Sequence, residues 1–129
     1  MPNIGTKAIR GLLPSAARTV STASQIFTDP DVAAIRLYLN LSVVPGGAGV
    51  SVVIRGYDRI SGGKVELTTG GVPVSQVGTY CYEMTFAPDP AFGNIREAVS
   101  RAVPYQWDAI VKHADGLSYT YSLSAELLK

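Results

Sequence analysis

Side chains that could act as nucleophiles, proton carriers or metal ligands are few in this chain and lie far apart. One cysteine, Cys81, and one histidine, His113, are separated by more than thirty positions, so a Cys/His catalytic pair would need an accident of folding. Asp108 lies five positions before His113, and residues an odd number apart on a strand point to opposite faces. We therefore expect no acid–base pair on this stretch.

Other catalytic patterns are also missing. No serine stands in a Gly-x-Ser-x-Gly elbow, and no glycine-rich segment matches a phosphate-binding loop. Asp29, Asp31 and Asp58 could form a calcium site only if the fold happened to assemble them, and acidic residues in turns are common for a simpler reason. The sequence thus predicts a protein that is not an enzyme and that carries no metal and no cofactor.

Aromatic side chains leave a binding function open. The chain has seven tyrosines and one tryptophan, and β-rich domains often bind carbohydrate on exposed rings. Tyr38, Tyr57 and Tyr105 are the tyrosines we expect at the surface. Tyrosines at strand ends also cap cores and lie in protein interfaces, so a sugar site and a protein contact are both compatible with them.

Charge and composition narrow the class of partner. Charged residues make up 16% of the chain and the net charge is +1, which favours a surface partly covered by another protein over attraction to nucleic acid or membrane. Arg55, Arg59 and Lys64 are too few, and too mixed with acidic residues, for a nucleic-acid site.

The composition also indicates the cellular compartment in which the protein is expected. One cysteine excludes an intramolecular disulfide, and no apolar run approaches the ~18 residues of a membrane span. Lys7 and Arg10 interrupt the apolar core that a signal peptide would need. We expect a protein that is made in the cytosol and stays there or in a particle assembled there.

An N-terminal arm is predicted at residues 1–17, where small residues, glycine and proline weaken a helix. A solvated tail does not need large aliphatic side chains, whereas an arm lying in the groove of a neighbour does. Deleting residues 1–13 should then leave the fold intact and abolish attachment to the partner; an ordinary solubilising tail is the alternative. The predicted partner-binding residues are Ile4, Lys7, Ile9, Arg10, Leu12, Leu13 and Arg18.

The central stretch, residues 35–57, predicts a long β-hairpin. Alternate residues from Ile35 to Val43 are apolar, and Val50, Val52 and Ile54 repeat the pattern after a turn at Pro45-Gly46-Gly47. A period of two places one row of side chains in a core and the other in water.

Further strands are predicted at 18–27, 65–69, 79–86, 104–113 and 117–127, with one or two helical turns at 94–102 and Trp107 in the centre. About seven strands at this spacing indicate an all-β fold, an antiparallel two-sheet β-sandwich of immunoglobulin-like or jelly-roll type. The domain covers residues 18–129, and the arm precedes it.

The order of these pieces resembles a group of small β-sandwich structural proteins of tailed bacteriophages. The resemblance spans residues 18–128. It rests on RTVST at 18–22, RLYLNLSVVPG at 36–46, VSVVIRGYDRISGGK at 50–64, GTY at 78–80, VPYQW at 103–107, VKH at 111–113 and YTYSLSA at 119–125.

This resemblance implies a virion protein, with head decoration (cement) as the favoured role. Such a protein would bind the major capsid protein or other virion proteins, as a homo-oligomer or in many copies on a particle, and stabilise the shell. A tail, neck or fibre-associated protein is the alternative, and a sugar-binding module for attachment to the host surface is the second alternative.

Overall fold

The structure is a computed structural model that describes residues 6–29, 32–85, 95–100 and 102–128. Among these residues it contains ten strands, and no helix long and apolar enough to cross a membrane. The strands are β1 (Thr6–Arg18), β2 (Thr22–Ala23), β3 (Phe27–Thr28), β4 (Ala34–Val43), β5 (Val50–Tyr57), β6 (Lys64–Glu66), β7 (Gly78–Thr85), β8 (Ile95–Ser100), β9 (Gln106–His113) and β10 (Tyr119–Leu128).

The strands form two sheets whose pairing is nested along the chain. β1 pairs with β10, β2 and β3 pair with β9, β4 pairs with β7, and β5 pairs with β6, all antiparallel. Pairing of β10 with β4 and of β9 with β5 then gives sheet A, in the order β1-β10-β4-β7-β8, and sheet B, in the order β2-β9-β5-β6.

This nesting is the jelly-roll arrangement, in which one long antiparallel ribbon is rolled into two sheets. In the immunoglobulin-like alternative the first strand lies beside the second, whereas here it lies beside the last. The predicted all-β sandwich is confirmed, with ten strands instead of seven. One pair departs from the predicted antiparallel arrangement, since β7 and β8 run parallel.

The predicted hairpin at 35–57 is wrong in its pairing, although both of its arms are strands. β4 lies in sheet A and β5 in sheet B, so residues 44–49 cross between the sheets and do not close a hairpin. The alternation reports which side chains are buried, and Leu37 and Leu39 are fully buried on β4 as Val52 and Ile54 are on β5. Two strands that face each other across the core show the same alternation as two strands that pair side by side in one sheet.

The predicted boundary at residue 18 does not separate an arm from the sandwich. Residues 6–18 form β1, whose register with β10 runs from Thr6 opposite Leu128 to Arg18 opposite Tyr119. Leu12 and Leu13 are 9% and 8% exposed and belong to the core of the chain itself. An edge strand can bury its aliphatic side chains in the core of its own chain, so these residues do not need a groove on a neighbouring protein.

Two further predicted elements differ from the structure. The single strand expected at 18–27 is replaced by the two-residue strands β2 and β3, and β8 occupies the place of the helical turns expected at 94–102. The strand at 117–127 is confirmed as β10, with Tyr119, Tyr121 and Leu123 buried. Trp107 is fully buried, as predicted, and packs against Phe27 with the ring centroids 5.1 Å apart.

Candidate interaction surface

The chemistry-bearing side chains are used to hold the fold. Among the described residues no group of three or more His, Cys, Asp or Glu side chains could bind a metal ion. Asp29 lies in the interior and Asp58 in a turn; Asp31, the third acid of the calcium possibility, is outside the described residues. Cys81 is buried, and burial raises the pKa of its thiol to about 11, so it stays protonated and weakly nucleophilic.

His113 joins the two sheets. Its Nε2 and the Tyr121 hydroxyl share a hydrogen bond of 2.8 Å, and its ring meets the Tyr119 ring edge-on at 5.5 Å. Burial lowers the pKa of His113; the Asp115 carboxylate opposes this effect, and the Arg18 guanidinium adds to it. The neutral imidazole therefore connects β9 to β10 through these contacts. Asp108 lies towards the opposite end of β9 and does not pair with His113.

Most of the predicted partner-binding residues of the N-terminal segment make their contacts within the molecule itself. Arg10 donates two hydrogen bonds of 2.7 Å to the Asp29 carboxylate, which also accepts the Trp107 Nε1–H at 2.9 Å. Arg10 lies over the Phe27 ring as well, at 4.9 Å. These contacts fasten β1, an edge strand of sheet A, to sheet B.

Arg18 is committed in the same way. Its guanidinium donates to the Tyr121 carbonyl at 2.8 Å and to the Pro14 carbonyl at 2.6 Å, and it lies 4.7 Å above the Tyr121 ring. Of the predicted residues whose side chains are described, Ile9 is the one that remains open, at 76% exposed. Ile4 and the side chain of Lys7 lie outside the described part of the chain.

The three tyrosines predicted at the surface do not form one group. Tyr38 lies on the outer face of sheet A and donates to Glu126 at 3.1 Å. Tyr57 ends β5 in sheet B, and Tyr105 immediately precedes β9, its neighbour. The fold therefore brings Tyr57 and Tyr105 to one end of sheet B and leaves Tyr38 elsewhere.

Tyr57 is held in place by a buried ion pair. Asp108 is 1% exposed, and its carboxylate accepts the Arg55 Nε–H at 2.8 Å and the Tyr57 hydroxyl at 2.6 Å. Burial, followed by the hydrogen bond to this carboxylate, raises the pKa of Tyr57 to about 12. The phenol therefore stays protonated and its ring orientation is fixed.

The β5–β6 turn next to Tyr57 is also rigidly built. The Asp58 carboxylate accepts the Ser61 hydroxyl at 2.7 Å and the Ile60 N–H at 3.0 Å, and these hydrogen bonds lower its pKa. Gly62 has a φ of 77°, the left-handed conformation that lets the turn close. The result is that Ile60 projects from the tip at 98% exposed.

Two cations flank this isoleucine, each resting on a tyrosine ring. Arg59 lies 4.1 Å from the centroid of Tyr105, and Lys64 lies 5.5 Å from the centroid of Tyr57. Within the part of the chain that the structure describes, neither cation has a carboxylate at ion-pair distance. We call Tyr57, Arg59, Ile60, Lys64 and Tyr105 the hairpin surface.

Comparison with known proteins adds no family. No protein-family model matches the chain, and no curated protein sequence matches it either. What the chain does must therefore be argued from its fold and from the hairpin surface.

Sequence reasoning named Tyr57 and Tyr105 but not Ile60, the most exposed aliphatic residue of this surface. The sequence did contain a signal for Ile60. A large aliphatic residue in a turn of Asp, Ser and Gly is predicted to be exposed, because such a turn does not contribute side chains to the core. Arg59 and Lys64 were noted only as part of a weak basic group.

Proposed function

We propose that the protein is a structural component of a bacteriophage virion, and within the virion a head decoration protein that binds the outside of the capsid. The jelly roll supports this proposal because it is a recurrent fold of viral capsid proteins. The observation that carries it is the hairpin surface: Ile60 is 98% exposed. The two cations of this surface lie on tyrosine rings, and no carboxylate of the described residues is at ion-pair distance from them.

The chemistry of the hairpin surface specifies its partner. An exposed isoleucine gains free energy by entering an apolar pocket, roughly 1.5–3 kcal/mol when fully buried. Arg59 and Lys64 are pre-oriented by the tyrosine rings and can then pair with carboxylates around that pocket. Aromatic residues and arginine are also the types enriched in protein interfaces. The partner we infer is an acidic, pocketed face of the major capsid protein.

Attachment of this kind needs no moving part. The turn is closed by Asp58 and the tyrosine beside it is fixed by Asp108, so little conformational entropy is lost on binding. A single small contact binds weakly, but copies that bridge neighbouring capsid subunits dissociate slowly because of avidity. The decoration would stabilise the shell by linking those subunits.

Electron cryo-microscopy of the virion whose genome encodes this chain tests the proposal. Density that fits the jelly roll on the outer face of the head, with Ile60 toward the shell, is the expected result. Density at the neck, tail or fibres would replace head decoration with the alternative location, and a virion without the protein would overturn the proposal altogether.

Co-sedimentation with purified heads tests the surface itself. Ile60→Asp should lower the bound fraction at least ~10-fold, whereas the same change at Ile9, an exposed aliphatic on β1, should not. The charge reversals Arg59→Glu and Lys64→Glu should weaken binding and reduce its salt dependence, with Arg96→Glu on β8 as the matched control. Equal binding of all variants to heads would exclude the hairpin surface as the site that contacts the capsid.

Carbohydrate binding, the second alternative, is less well supported by the geometry. One face of the Tyr105 ring is covered by Arg59 and one face of the Tyr57 ring by Lys64, and the Tyr57 hydroxyl is already bonded to Asp108. The ring faces on which a sugar would stack are thus partly occupied.

A further inference from the structure

The end of the sandwich opposite the hairpin surface is almost without charge. Four segments meet there: residues 19–21, 42–49, 74–78 and 114–118. They contain a single ionisable residue, Asp115. Elsewhere they consist of glycine, alanine, proline, valine, leucine and uncharged polar residues. We call this surface the neutral end.

Strand register shows that these segments lie together. Arg18, just before the first, is opposite Tyr119, just after the last. Val43 is opposite Thr120, and Leu41 is opposite Gly78. In sheet B, Val50 pairs with both His113 and Val74, which brings residues 74–78 and 114–118 to the same end.

Exposed aliphatic side chains line this end in a row. Val20 follows β1, Leu117 precedes β10, Val43 ends β4 and Val77 precedes β7; their exposed fractions are 67%, 46%, 56% and 62%. Because β1, β10, β4 and β7 are consecutive in sheet A, each of four adjacent strands contributes one of them. A row of this kind is more than the scattered apolar residues that any surface carries.

The neutral end is also preformed. The Asp115 carboxylate accepts the Ala48 N–H at 2.7 Å, the Leu117 N–H at 3.0 Å and the Tyr119 hydroxyl at 3.1 Å, so three hydrogen bonds hold this charged group against the loops. The Tyr119 hydroxyl in turn accepts the Gly49 N–H at 2.9 Å. The loops around Val43 and Leu117 are thereby locked to each other.

We propose that the neutral end is a self-association interface, occupied by the neutral end of a second copy of this chain. A charged partner group buried there would lose its hydration without gaining a counter-charge, which is costly. The partner face must therefore be uncharged and apolar, and the neutral end of a second copy meets both conditions. Identical patches facing each other form a closed, two-fold interface.

Sedimentation velocity and light scattering over about 1–100 µM protein test this inference without any phage particle, so that its failure would leave the proposed decoration role standing. We expect a concentration-dependent dimer. The double variant Val43→Lys/Leu117→Lys should weaken it at least ~100-fold, because it places like charges on both sides of the interface. Ile60→Lys, the same kind of change on the hairpin surface, should leave the dimer unchanged.

Hydrogen exchange of the unaltered protein keeps the inference testable if the double variant does not fold. Amides of residues 42–49 and 114–118 should become more protected as concentration rises, while those of residues 58–63 should not. A monomer throughout the range, or a dimer whose added protection falls elsewhere or that Ile60→Lys dissociates, would overturn the assignment.

Discussion

Deleting residues 1–13 should unfold the protein, contrary to what an arm outside the sandwich would predict. The deletion removes Leu12 and Leu13, each less than 10% exposed, and truncating a buried leucine to alanine costs about 2–5 kcal/mol. It also removes Arg10 from the buried Asp29 carboxylate, which adds about 1–3 kcal/mol. The total, about 5–13 kcal/mol, is comparable to the whole stability of a domain, about 5–15 kcal/mol.

Urea denaturation followed by the fluorescence of Trp107 measures this loss, because the indole N–H shares Asp29 with Arg10. Leu13→Ala should lower the free energy of unfolding by about 2–5 kcal/mol. Ile9→Ala, on the same strand but 76% exposed, should change it by less than ~0.5 kcal/mol. A truncated protein that unfolds at the same urea concentration as the full chain would show that β1 is not part of the core.

Three other predictions follow from single sites. Asp108→Asn leaves the partly buried Arg55 guanidinium without its ion pair and should lower the free energy of unfolding measured in urea by about 3–5 kcal/mol; a loss below ~1 kcal/mol would contradict this. The lowered pKa of His113, the single histidine, means that the unfolded chain binds the proton more readily, so stability should fall as pH drops below about 6.5 and level off below the folded-state pKa. In His113→Gln the unfolding temperature should therefore depend less on pH between pH 7.5 and 5.5. An unchanged pH dependence would mean that other groups cause it. Gly49→Ala should cost at least about 1–3 kcal/mol because φ is 100° there and the new Cβ would lie 2.5 Å from a backbone carbonyl oxygen; Gly116→Ala, with open space around it, is the control and should be neutral.

Strand positions were predictable wherever a strand has one buried face. Ile35, Leu37, Leu39 and Leu41 alternate with polar residues in the sequence, and all four are fully buried in the structure. The alternation is silent about which strand lies beside which, because pairing is made by the backbone, which is the same for every residue. That is why β4 and β5 were predicted as one hairpin and lie in opposite sheets.

The N-terminal segment was misjudged for a related reason. Gly11 and Pro14 interrupt its pattern, and the register of β1 with β10 shifts near both of them. A strand with bulges shows no clear period, so Leu12 and Leu13 read as isolated aliphatic residues. Arg10 read as a free charge because its partner, Asp29, lies 19 positions away and becomes a neighbour only when sheets A and B pack.

The candidate surface was predictable in its residue types but not in its arrangement. Tyr57 and Tyr105 are 48 positions apart in the sequence and are brought to one end of sheet B by the pairing of β5 with β9. Residues 1–18 carry a formal charge of +3, yet the two described arginines of that segment, Arg10 and Arg18, bind groups within the molecule. Arg59 and Lys64, two cations that form no ion pair with the described residues, lie in a turn whose net charge is small.

The two proposed surfaces constrain each other through the length of one strand. β5 starts at the neutral end with Val50 and finishes at the hairpin surface with Tyr57, a span of roughly 23 Å at 3.3 Å per residue. Copies joined at their neutral ends would therefore point their hairpin surfaces away from the joint, leaving every Ile60 accessible. With the Ile60 of one copy against a shell, the Ile60 of its partner faces away from that shell, so each dimer attaches through one copy. Dissociating the dimer by Val43→Lys/Leu117→Lys should then leave the affinity of the hairpin surface for heads unchanged, because no residue of that surface is altered, whereas weakened binding would mean that both copies contact the shell.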